Sequence, residues 1–246
     1  MNKTNLCNYQ ERCKIKTMNK EGRLLVIEGA DGSGKSVQVQ KLRERIEETG
    51  EQVVVYDFPQ YEKTFFGGKI GEYLNGKYGG FEDMHPFFPG LLFAIDRFEA
   101  RDEMLEDLKA GKVVICNRYM SSNLAHGGAK LKDEEGGDVK DFINEMEKVE
   151  FEIFKIPVPD LEIIVSVPAD ISQKLVEKKG ERSYVKGKDI AEEDVLHQKK
   201  ALEIYHWLVE NRDRYELVEC VGENGELMSI EEVSEKVWEV VEEKFI

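Results

Sequence analysis

The residues best suited to chemistry lie in one run, Glu28-Gly29-Ala30-Asp31-Gly32-Ser33-Gly34-Lys35-Ser36-Val37. From Gly29 it spells G-x-x-x-x-G-K-S, with an apolar strand signal before it (Leu24–Ile27) and a helix signal after it (Val37–Thr49). That context makes it a phosphate-binding loop. Gly29, Gly32 and Gly34 let the backbone take conformations that a Cβ opposes, so successive N–H groups can converge on an anion. The helix N-terminus adds unpaired donors and a positive partial charge. Gly29, Gly32, Ser33, Gly34, Lys35, Ser36 and Val37 are the expected triphosphate contacts, with Lys35 reaching the β/γ-phosphates and Ser36 ligating Mg²⁺. The alternative, a glycine-rich turn that binds nothing, explains neither the lysine nor the flanking elements.

Three further segments carry candidate chemistry. Asn117-Arg118-Tyr119-Met120-Ser121-Ser122-Asn123 follows an apolar strand signal, and ligands of open α/β sheets bind at strand carboxyl ends. Arg118 therefore falls in the crevice, where a guanidinium suits phosphate, with Ser122 and Asn123 as neutral hydrogen-bonding groups. Asp57-Phe58-Pro59-Gln60-Tyr61 puts an aromatic and a rigid turn at the end of another strand. Phe93 and Arg97 stand at i and i+4 of a helix signal, so they share a face able to stack on a base and bind its edge. Alone, that pair reads sooner as a core Phe beside a surface Arg than as a base-binding face.

These groups must be held by alternating elements. Strand signals cover Leu24–Ile27, Gln52–Phe58, Lys112–Cys116, Leu161–Val167 and Tyr215–Glu219, short and rich in Val and Ile as parallel strands covered on both faces are. Helix signals cover Val37–Thr49, Gly68–Leu74, Pro89–Ala110, Val139–Phe154, Ile171–Lys179, Glu192–Arg212 and Ile230–Lys244. Gly50, Gly111 and Gly180 follow helices as C-caps. The pattern predicts a doubly wound α/β fold with a parallel sheet of about five strands and helices on both faces. Residues 1–20 read as a polar tail and 21–246 as a single domain, without internal repeats. Met18 offers an alternative start of translation, which would remove Cys7 and Cys13. Lys132 to Asp138 reads as an exposed charged loop. Lys178 to Lys188 is a basic island in an acidic chain, and a lid over about 178–190 would bring Arg182 onto transferring phosphate.

Composition excludes several classes. The 246 residues suffice for a full core, and a hydrophobic fraction of 41% argues against general disorder. A net charge of −15 argues against a nucleic-acid or membrane-surface partner, since both need a basic footprint. Cys7, Cys13, Cys116 and Cys220 form no C-x-x-C pair, so no zinc site is indicated. The expected setting is the cytoplasm, with reduced thiols. The absence of an N-K-x-D motif excludes a typical GTPase.

Together the segments resemble the thymidylate kinase family from about Arg23 to the C-terminus. Its E-G-x-D-G-x-G-K-S-T-Q pattern is matched by Glu28 to Gln38, its F-P element by Phe58-Pro59, and its D-R-Y-x-x-S-x-x-A element by Asn117 to Ala125. The resemblance implies a P-loop kinase that transfers phosphate from ATP, with Mg²⁺, to dTMP, on the path to dTTP, and works as a homodimer. It implies that Phe93 stacks on thymine, Arg97 binds its edge, Arg118 holds the acceptor phosphate and Asp31 meets the deoxyribose hydroxyl. Phe58, Pro59, Ser122, Asn123 and Gln198 complete the acceptor site, and Lys35, Arg118 and Arg182 carry catalysis. The phosphate loop holds no arginine, so the lid-arginine type, with Arg182, is implied. Three departures stand out: Asn117 replaces the family's aspartate, Val37 its threonine, and no arginine follows Phe58-Pro59 closely. An amide cannot neutralise Mg²⁺, so Glu28 or Asp31 is expected to carry more of the metal. The rivals are another nucleoside or nucleoside-monophosphate kinase, and a nucleotide-binding pseudoenzyme weakened at Asn117.

Overall fold

Five short apolar runs pair edge to edge, and each is long enough only to cross one sheet. A computed structural model describes residues 22–79, 84–132, 137–179, 195–222 and 224–246. The strands are β1 (Arg23–Glu28), β2 (Val53–Asp57), β3 (Val113–Asn117), β4 (Leu161–Ser166) and β5 (Tyr215–Glu219). All pair in parallel in the order β2-β3-β1-β4-β5. The order reverses at β1, so the crevice of the fold opens at the carboxyl ends of β1 and its neighbours.

The helices are α1 (Lys35–Glu48), α2 (Phe65–Leu74), α3 (Phe87–Lys109), α4 (Met120–Leu131), α5 (Val139–Glu147), α6 (Ala169–Lys179), α7 (Val195–Asn211) and α8 (Ile230–Lys244). Successive residues of β1 point to opposite faces. Leu24 and Val26 enter a core with Ala94 of α3, Leu124 of α4, Ile143 of α5 and Ile204 of α7. Leu25 and Ile27 enter the other core, with Leu42 and Ile46 of α1 and Val237, Trp238 and Val241 of α8. The helical stripe expected on the last segment is therefore the one that covers the sheet. Its start is fixed by a capping box, Ser229 with Glu232.

Most expected boundaries shift by a residue or two. Three differences are larger. Helix α2 begins at Phe65, three residues before the expected Gly68. The segment expected as Val139–Phe154 is α5 followed by a single π-helical turn, Lys148–Ile153. Helix α4 has no counterpart among the sequence expectations, because Gly127 and Gly128 weaken its helical signal. Packing supplies the reason for both glycines: a Cβ on Gly127 would come within 2.4 Å of the Phe142 ring. Gly50 (φ 89°) and Gly111 (φ 79°) take the left-handed conformation of C-caps. The tail 1–20, Gly180, the body of the lid with Arg182, and 192–194 of the expected Glu192–Arg212 helix lie outside the described residues, as do 133–136 of the charged loop.

Candidate active site

The phosphate loop leaves β1 and enters α1 through Gly29 (φ 141°), Gly32 (φ 81°) and Gly34 (φ 87°). Gly29 has a second constraint, since a Cβ there would lie 2.3 Å from the carbonyl oxygen of Val165 on β4. Val37 and Gln38 donate to Gly34 O at 3.0 and 3.1 Å, so α1 begins its hydrogen-bonding pattern at the loop. Lys35 is buried and donates its Nζ to Gly29 O (2.9 Å) and Ala30 O (2.6 Å), curled within the loop it serves. Ser33 Oγ is buried with no hydrogen-bond partner among the described residues, an unmet polar group of the kind an anion satisfies. Val37 is 38% exposed, so its lost hydroxyl leaves an apolar patch beside the loop.

A cavity of about 440 Å³ opens from this loop. Its wall contains Asp31, Lys35 and Ser36 from the loop region and Phe58, Pro59 and Tyr61 from beyond β2. Phe93 and Arg97 of α3 add to it, with Asn117, Arg118, Ser122, Asn123 and His126 at β3 and α4. The sequence-expected acceptor residues are thus brought together with one exception. Gln198 is buried on α7 and does not line the cavity; its neighbour His197 reaches the wall through His126.

Arg118 holds a left-handed backbone (φ 66°), with its N–H bonded to Ile27 O at 3.0 Å. Such a conformation costs a non-glycine residue on the order of 1–3 kcal/mol and gathers at functional sites. Its guanidinium pairs with Asp31 and donates to Ser122 Oγ at 2.9 Å. Burial opposes the Arg118 charge, and the Asp31 carboxylate more than offsets it, raising the Arg118 pKa. Ser172 of α6 donates to the Asp31 carbonyl, tying the loop to the helix that leads toward residue 180.

Glu28 departs from its expected metal role. It is fully buried, accepting from the N–H groups of Tyr119 (2.6 Å) and Ser122 (3.1 Å) with one oxygen and from Ser122 Oγ (2.8 Å) and Tyr205 OH (3.1 Å) with the other. A carboxylate at a helix N-terminus is favourable, so Glu28 fixes the start of α4 and hence the position of Arg118. Burial beside that carboxylate keeps the Tyr205 phenol protonated.

Arg97 is neither on the surface nor wholly available to a ligand. It is 2% exposed and forms a two-pronged pair with Glu150, Nε to Oε2 at 2.7 Å and Nη2 to Oε1 at 2.6 Å, while Nη1 reaches Tyr119 O at 3.3 Å. Phe93 is half-buried in the cavity wall one turn away. Asp96, between them, accepts from Gln60 N (2.9 Å) and from the Thr64 hydroxyl, which fastens the cis Phe58–Pro59 turn to α3. Asn123 donates to Gly90 O at 3.0 Å.

Sequence reasoning missed Glu150, His126, Tyr73 and Lys130. Glu150 had a readable signal, a carboxylate between the apolar residues Val149 and Phe151. Lys130, buried on α4 and bonded to Met84 O, was equally odd in so acidic a chain. The other two carried none.

For Mg²⁺, the residues present fit. No group of three His, Cys, Asp or Glu side chains among the described residues could form a dedicated cage. Mg²⁺ instead keeps waters and shares phosphate oxygens, needing one or two protein groups. Ser36 Oγ sits at the loop and accepts from Asn117 Nδ2 at 3.2 Å, and the same amide nitrogen donates to the Asp57 carboxylate at 2.8 Å.

A parallel sheet of this order, a glycine loop opening into α1, and a cavity walled by Arg118, Arg97 and Phe93 define an α/β nucleotide kinase. A family model described as thymidylate kinase matches residues 27–226. The chain belongs to the thymidylate kinase family. It is 29% identical over 229 residues to a thymidylate kinase of Bradyrhizobium, covering 91% of each chain. It is 28% identical over 182 residues to that of Mycobacterium tuberculosis strain H37Rv, covering 74% of this chain and 83% of the relative. The fold superposes on the thymidylate kinase of Candida albicans with a TM-score of 0.69 at 23% identity, over 91% of this chain and 92% of that one.

Proposed function

We propose that this chain phosphorylates dTMP to dTDP with ATP and Mg²⁺. One observation carries the reading: the Arg118–Asp31–Ser122 cluster and the phosphate loop line one cavity of about 440 Å³, so the groups suited to the acceptor and donor phosphates lie in a single space. Family membership favours this substrate over the other acceptors and over an inactive binder.

The reaction is an in-line displacement. An oxygen of the acceptor phosphate forms a bond to the γ-phosphorus as the bond from that phosphorus to the bridging β–γ oxygen breaks, and ADP leaves with the electron pair. The acceptor monoester is largely ionised near neutral pH, so no general base is required. Positioning and charge neutralisation supply most of the rate. Lys35 leaves its two loop carbonyls for a phosphoryl oxygen, a charged and therefore stronger acceptor. The amides of Gly32, Gly34 and Ser36 and the Ser33 hydroxyl surround the donor phosphates. Arg118 holds the acceptor phosphate, Asp31 orients that guanidinium and the sugar hydroxyl, and Arg182 closes from the lid. Phe93 stacks on the base, with Asn123 and the remaining N–H groups of Arg97 at its edge. Ser36 would hold Mg²⁺, which, when bound, neutralises charge on the transferring group.

The test is ADP release with dTMP, dUMP, AMP, CMP, GMP and thymidine as acceptors. Turnover highest with dTMP is expected; background rates with dTMP beside turnover of another acceptor would sink the assignment. We further expect a homodimer in the cytoplasm. The described residues contain no helix long and apolar enough to cross a membrane.

A further inference from the structure

The carboxyl ends of β2 and β3 carry an acid and an amide in direct contact. Asp57 and Asn117 stand opposite each other in the parallel register. Asn117 Nδ2 donates to Asp57 Oδ1 at 2.8 Å and to Ser36 Oγ at 3.2 Å. All three residues line the same cavity. A carboxylate can only accept, so Asp57 forces the amide to turn its nitrogen inward and leaves Oδ1 facing the other way. That oxygen is buried without a donor.

We propose that Asp57 and Asn117 act as one unit that sets the metal affinity of this protein, Asp57 supplying the negative charge and Asn117 the amide link that holds that charge to the Ser36 hydroxyl, the ligand of a Mg²⁺ ion. The inference rests on the kinase reading above. A neutral amide draws no cation, so a charge must come from elsewhere. Glu28 commits both oxygens to α4 and Tyr205, and Asp31 pairs with Arg118. Asp57, exposed at the strand end, is the carboxylate hydrogen-bonded through one amide to the Ser36 hydroxyl. Coordinated waters are strong donors, and they match the lone pairs that Asp57 keeps beyond its bond from Asn117. The amide at 117 also follows from the acid at 57. A second carboxylate 2.8 Å from Asp57 would set two like charges in contact, and one would have to take up a proton.

The experiment measures Mn²⁺, as a stand-in for Mg²⁺, by the free-ion electron paramagnetic resonance signal with protein and a non-hydrolysable ATP analogue. Nucleotide affinity in EDTA and thermal unfolding are followed in parallel. Groups that act through a metal's ligands typically govern about 10–100-fold of its affinity, so Asp57→Asn is expected to weaken Mn²⁺ in the ternary complex by roughly that factor. Nucleotide affinity in EDTA and Tm should stay unchanged. The exchange variant Asp57→Asn/Asn117→Asp returns the charge to the pair and is expected to recover most of the loss. Mn²⁺ affinity within twofold of wild type in Asp57→Asn overturns the proposal, and so does an exchange variant no tighter than Asp57→Asn. Wild-type protein that binds no nucleotide at all overturns the kinase reading, and this proposal with it.

Discussion

Arg97 and Glu150, 53 residues apart in sequence, form a two-pronged ion pair that is 2% and 0% exposed. Each charge is bearable only because the other is there. Burial works against the Arg97 charge, but Glu150 holds its pKa up. Glu150→Gln leaves a buried guanidinium without a countercharge, a loss of about 3–5 kcal/mol. At about 2–4 °C per kcal/mol for a chain of this size, Tm should fall by roughly 10 °C in circular dichroism melts. Replacing both by apolar residues of similar volume, Arg97→Met with Glu150→Leu, should restore most of that Tm while kcat/KM for dTMP stays low. A double variant with wild-type kcat/KM would show that Arg97 serves the fold alone.

The glycines of the phosphate loop should separate by mechanism. Gly34→Ala meets only a backbone penalty of about 1–2 kcal/mol, since no atom lies within 4 Å of the new Cβ. Gly29→Ala meets the same kind of penalty and a carbonyl of β4 at 2.3 Å. Melting curves should therefore show a loss of a few degrees for Gly34→Ala and at least twice that for Gly29→Ala. Equal losses would mean that the β1–β4 contact yields easily.

Arg118 offers a test of geometry against charge. Arg118→Lys keeps the cation and discards the planar fork that spans Asp31 and Ser122. With a charged hydrogen bond worth about 1.5–3 kcal/mol, kcat/KM for dTMP should drop about tenfold to a hundredfold. Affinity for ATP, measured by fluorescence titration, should hold. A lysine variant with native kcat/KM would remove Arg118 from the acceptor site.

His126 and His197 stack with a ring nitrogen of each 3.1 Å apart, so one must donate and the other accept. A second proton would set two N–H groups against each other. Burial, and then His197, lower the His126 pKa from 6.5 to about 3. The unfolded chain therefore takes up this proton between pH 6.5 and 3 while the folded chain does not. Stability must decline as pH falls through that window, and this group contributes no slope above it. His126→Asn should flatten the fall of Tm with pH relative to wild type. Parallel curves for the two proteins would refute the shift.

The sheet was legible because its three central strands are buried on both faces, which writes them as continuous apolar runs. The phosphate loop was legible because its demands are local: positive φ at glycines, a lysine and a hydroxyl at fixed spacing. Helix α4 was not, since Gly127 and Gly128 make sense only against Phe142 and Ile204, which come from other helices. Nor was the fate of Glu28. The amide at Asn117 suggested a metal role for Glu28, whereas the backbone of α4 and the Tyr205 phenol take its oxygens.

The sequence by itself determined the class of chemistry, for the loop from Gly29 to Ser36 and the strands around it depend on residues a few positions apart. Only the tertiary structure decided which charges are available. Arg97 meets Glu150, Arg118 meets Asp31, and Asp57 meets Asn117 across distances in sequence that no local pattern records. The physical reason is burial: once a charge leaves water, its partner rather than its type determines what it can still do.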